Sequence, residues 1–63
     1  MLEFETKDGP ITININAIQR IKPWDEKHTG ILFGYNEEIE IVEGNYSYVS
    51  SRIRQQYNKE ITG

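Results

Sequence analysis

The hydrophobic period of this chain changes once, at Gly44, and that change limits the fold more than any other feature. Before it, apolar residues recur at every second position; after it, they recur every three or four. A period of two marks strands with one buried face, and a period near 3.6 marks an amphipathic helix. The order predicts an α+β fold: a small antiparallel β-sheet of four to five strands, then one C-terminal amphipathic helix. Residues 1–63 form a single domain on this reading.

The strands announce themselves by alternation. Leu2, Phe4 and Thr6 share one face, and Glu3, Glu5 and Lys7 the other. Asp8-Gly9 follows as a hairpin signal, since glycine supplies the positive φ of tight turns. Pro10 lacks a ladder donor and belongs at a strand start or edge. Ile11, Ile13 and Ile15 then alternate with Thr12, Asn14 and Asn16. Asn16-Ala17 reads as a short break, and a third strand is expected from about Arg20 to Trp24, with Pro23 at its edge or end. Asp25 to Gly30 is polar, charged and closed by glycine, hence a loop. Ile31–Tyr35 and Ile39–Val42 are two further strands, joined by a hairpin connection at Tyr35-Asn36-Glu37-Glu38. In the last of them, Ile39 and Ile41 are expected inside and Glu38 and Glu40 outside.

In the helix, Tyr46, Val49, Ile53 and Tyr57 make one stripe. Asn45 or Ser47 is the expected N-cap. Tyr48 and Arg52 are four apart, share a side and lie outside that stripe.

Size narrows the function. A 60-residue domain buries only about 60% of the surface its unfolded chain exposes. There is no cysteine for a disulfide, and one histidine cannot close a zinc site. Oligomerisation is the staple that remains, so self-association is expected. The same shortage of residues leaves none for the walls of a deep catalytic cleft. No catalytic residue, metal or cofactor is expected. The net charge of −3 disfavours bulk attraction to nucleic acid. No apolar run reaches the ~20 residues of a membrane span, and the acidic start resembles no secretory signal, so a cytoplasmic protein is expected.

The pieces Asp8-Gly9, Ile15-Asn16, Ile18-Gln19-Arg20-Ile21, Ile39 to Glu43 and Val49 to Ile53 follow one another in a characteristic order. That order resembles the FlbD-like family of small flagellar and swarming-motility proteins. The resemblance implies a fold rather than an activity, and it carries over no catalytic residue. The family's usual glycine in the third turn is replaced here by Tyr35-Asn36-Glu37-Glu38.

Few residues can carry chemistry. His28, beside Asp25, Glu26 and Thr29, has a base's composition but no nucleophile or second histidine at a working spacing, and reads first as a solvated loop histidine. Glu37, Glu38, Glu40 and Glu43 read as a solvated sheet face, since calcium needs oxygens converging from a specialised loop. Arg52, Arg54 and Lys59 with Tyr46, Tyr48 and Tyr57 form the one basic and aromatic cluster. Such a mixture suits a protein interface, a phosphate-bearing ligand or an ordinary solvated helix surface. Trp24 either closes the end of the core or marks a contact. The candidate binding residues are Tyr48, Arg52, Arg54, Trp24 and His28. The expected function is a non-catalytic interaction or adaptor protein that self-associates and binds a protein partner. The alternative is an oligomer that sequesters a phosphorylated metabolite or nucleotide.

Overall fold

The computed structural model describes residues 1–34 and 38–62. Five strands precede one helix, as the change of period requires. Strand β1 (Leu2–Thr6) pairs antiparallel with β2 (Gly9–Ile13), Leu2 facing Ile13 and Thr6 facing Gly9. Lys7 and Asp8 form the connection, and Gly9 takes the positive φ, 117°. The Thr6 hydroxyl locks this turn: it donates to the Gly9 carbonyl at 2.7 Å and accepts from the Asp8 N–H at 3.1 Å.

Strand β2 stops at Ile13, short of the expected Ile15. The Asn14 side chain accepts from the Asn16 N–H at 3.0 Å and caps a 3₁₀ turn over Ile15–Ala17. Asparagine favours such local bonds over a sheet ladder. Ile15 is still buried, delivered by the turn instead of a strand.

A second, three-stranded sheet has the order β3 (Ile18–Pro23), β4 (His28–Phe33), β5 (Ile39–Glu43), all antiparallel. Strand β4 begins at His28, where a loop was expected. The polar residues there are satisfied inside the fold: Trp24 and Asp25 N–H groups both donate to the His28 carbonyl, at 3.1 and 3.3 Å. Thr29 is buried and donates its hydroxyl to the Gly44 carbonyl at 2.9 Å. Tyr35 to Glu37, the expected hairpin connection, lie outside the described residues.

The core lies on one side of this sheet. Thr29, Ile31, Phe33 and Val42 point into it and meet Leu2, Phe4, Ile13, Ile15 and Val49. Val42, not Ile39 or Ile41, is the buried residue of β5, and Glu40, expected outside, stands opposite Ile31 on the same side as Val42. Register explains the reversal: Val42 stands opposite Thr29, while Ile41 stands opposite Gly30 and Ile39 opposite Leu32. Paired residues share a face, so Gly30, Leu32, Ile39 and Ile41 lie on the outer side.

Helix α1 (Tyr46–Thr62) starts as expected. Asn45 Oδ1 accepts the Tyr48 N–H at 2.8 Å, the bond of an N-cap residue. At 1.5 Å per residue the helix is about 25 Å long. Only its first part lies on the core: Val49 is buried and Ile53 partly so, whereas Tyr46 and Tyr57 are exposed. The predicted stripe is real in its two middle members only. Among the described residues, no helix is long and apolar enough to cross a membrane.

Candidate functional site

Gly44 sets the geometry that brings β5 to the helix. Its φ of 114° turns the chain, its N–H donates to the Lys27 carbonyl at 2.8 Å, and its carbonyl accepts from Thr29. A side chain here has no room, because a Cβ would lie 2.5 Å from Tyr48 Cδ2. The bare backbone thus seats the Tyr48 ring. Tyr48 is 52% exposed, so it rests on Gly44 with its other side in solvent.

Arg52 follows one helical turn later. Its guanidinium lies 4.6 Å from the centre of the Phe4 ring and 5.7 Å from that of Tyr48. Phe4 is a core residue, so Arg52 covers the end of the core as well as bordering solvent. The two expected partners are together, but Arg52 is not the free surface residue the helix spacing implied. They line an open hollow of about 680 Å³ with Glu3, Glu5 and Glu43. Among the described residues, no ion pair engages Arg52. Three carboxylates against one guanidinium make the hollow unfavourable for an anion. Arg54 is exposed and lines neither this hollow nor the next.

Trp24 and His28 belong to a second hollow of about 430 Å³, bounded by the β1–β2 turn at Lys7 and Asp8 and by Ile39, Glu40, Ile41 and Glu43 of β5. Asp25 organises its rim. One carboxylate oxygen accepts the Lys27 N–H at 2.8 Å and lies 2.8 Å from His28 Nδ1. The Lys27 N–H, and after it the His28 ring, hold the Asp25 carboxyl below its ordinary pKa. In the neutral ring, Nδ1–H donates to Asp25 and Nε2 is left as an acceptor. His28 is therefore an oriented, half-exposed histidine at a strand start, not a loop histidine in free solution. An oriented histidine needs a nucleophile or substrate hydroxyl to act on. The alcohol in the lining, Thr6, already donates to Gly9. Among the described residues, no three of His, Cys, Asp and Glu are grouped to hold a metal.

The hollows share Glu43 but divide the candidates into two pairs, Tyr48 with Arg52 and Trp24 with His28. The structure also exposes a feature the alternation concealed. Behind Trp24, the outer face of the sheet carries Leu32, Ile39 and Ile41, none of which joins the core cluster. Gly30 lies among them, where a Cβ would meet Ile39 Cγ2 at 3.0 Å and Lys22 Cγ and Trp24 Cε3 at 3.7 Å. Trp24 is half exposed and lies against this face, with the Lys22 ammonium 5.9 Å from its ring centre. The apolar runs Ile31-Leu32-Phe33 and Ile39-x-Ile41-Val42 held the signal: adjacent apolar residues supply both faces of a strand.

Comparison with protein families, with characterised proteins and with solved structures gives no match.

Proposed function

We propose that this chain is a non-catalytic interaction module that self-associates and binds a protein partner. One observation carries the reading: Leu32, Ile39, Ile41 and Trp24 gather on a sheet face outside the core. A domain this small leaves such a group only partly covered at a cost, because apolar burial is its main source of stability. Covering it by association stabilises the fold and the assembly together. Tyr48, rigid and half exposed on its Gly44 seat, is the contact residue proposed for the partner, and Arg52 borders it. Tyrosine and arginine are enriched where interfaces concentrate their energy.

The alternative, capture of a phosphorylated ligand, has less support. Asp8, Asp25, Glu40 and Glu43 line the Trp24 hollow with a single lysine, Lys7. Absence of catalysis and a cytoplasmic setting belong to the same proposal, as does kinship with the FlbD-like proteins, which adds no residue to the site. Sedimentation of the purified chain over a concentration series tests the reading. Reversible assembly above the monomer is expected, and a monomer at high micromolar concentration would refute it.

A further inference from the structure

From the two sides of the outer sheet face, we infer that the chain forms a twofold dimer in which this face packs on the same face of a second copy, the axis running along β4. The inference rests on the self-association proposed above and names its surface and symmetry.

The register places the residues in three rows across the sheet. Trp24, His28 and Glu43 lie at one end, Lys22, Gly30 and Ile41 in the middle, and Arg20, Leu32 and Ile39 at the other. The centre is apolar. The β3 side carries two cations, Arg20 and Lys22, and the β5 side ends in the carboxylate of Glu43. Arg20, Lys22, Leu32 and Ile39 close around Gly30 in a narrow cleft, so the face is dished at its middle. A twofold contact is isologous: each surface meets its own copy. If the axis runs along the strands, each row lies over itself and β3 of one copy over β5 of the other: Arg20 faces Ile39, Lys22 faces Ile41 one row from Glu43, and Glu43 faces Trp24. If it runs across them, β3 lies over β3 and four cations are brought together. Like charges facing each other disfavour that arrangement. Sheets packed face to face lie about 10 Å apart, within reach of lysine, arginine and glutamate side chains. Trp24, at the rim, then closes over the partner's face as a large anchor.

The test is sedimentation velocity on the wild type and on variants whose folding is checked by circular dichroism. Ile41→Lys places a charge in the apolar centre and should leave a monomer. Trp24→Ala removes the exposed anchor without touching the core and should weaken the dimer at least tenfold. Lys22→Glu and Glu43→Lys should each weaken it by about tenfold, because every pair occurs twice in the dimer. The double variant carrying both reversals should recover most of the loss. A monomeric wild type would overturn the inference and the self-association reading together. A wild-type dimer that survives Trp24→Ala and Ile41→Lys would overturn the surface while leaving self-association in place. Charge reversals that weaken the dimer singly, without recovery in the pair, would overturn the axis along β4.

Discussion

Val42 and Ile41 are neighbours in sequence and face opposite ways, so truncating each to alanine separates the core from the outer face. Val42 is fully buried against the core, and Ile41 lies half-buried across the sheet beside Gly30. Val42→Ala removes two buried carbons, worth about 1.6 kcal/mol at about 0.8 kcal/mol each. A void of roughly 50 Å³ that fails to collapse adds about 1 kcal/mol at about 24 cal/mol per Å³. The expected loss is between about 2 and 3 kcal/mol, a large share of the roughly 3–9 kcal/mol typical for this length. Ile41→Ala removes three carbons from a side chain already partly wet and leaves no closed void, so about 1.5–2 kcal/mol, less than for Val42, is expected. With a urea slope near 1 kcal/mol per molar, the midpoints should fall by about 2–3 M and about 1.5–2 M. The experiment belongs at low micromolar protein, where assembly adds nothing to apparent stability. Equal losses, or a larger loss for Ile41, would refute the assignment of faces.

Other consequences are as direct. Arg52→Ala uncovers the Phe4 ring and should cost about 1 kcal/mol by denaturant unfolding, with Arg52→Lys recovering part of it. Gly44→Ala meets both a positive φ and the Tyr48 ring, whereas Gly9→Ala meets only a positive φ in open space. The first should therefore lower the melting temperature more than the second. The Asp25 carboxyl is held below its ordinary pKa, so its bonds to Lys27 and His28 stabilise the folded state above the unfolded pKa. That stabilisation is lost as pH falls through the folded value. Side-chain carboxyl titration by NMR should place Asp25 below the ordinary aspartate value, and Asp25→Asn should remove the stabilisation that is lost in acid.

The change of period at Gly44 made the element order legible, because burial on one side imposes that period directly. The same reasoning failed in β5. Ile39-Glu40-Ile41-Val42 alternates only if one apolar residue is set aside, and the pattern cannot say which. Register decides it, and register depends on partners distant in sequence: Val42 goes inward because Thr29 opposite it is buried. Thr29 itself was hidden in a run that reads as loop. Its hydroxyl satisfies the Gly44 carbonyl fifteen residues away, a bond no local pattern records. The helix stripe overreached at Tyr46 and Tyr57 because periodicity gives the side of a helix that faces a core, not how far the core extends. Of the candidate site, Tyr48 with Arg52 was legible from their spacing of four. Phe4 beneath Arg52, and the outer face behind Trp24, were not, since both arise from strand pairing.

A dilution series of amide spectra recorded on isotopically labelled protein shows directly whether the outer sheet face is the dimer contact. As association increases, shifts and broadening should concentrate at Lys22, Trp24, Gly30, Leu32, Ile39 and Ile41, and leave Tyr57 and Ile61 on the exposed end of the helix unchanged. Perturbation centred on the helix instead, or a spectrum independent of concentration, would contradict that contact.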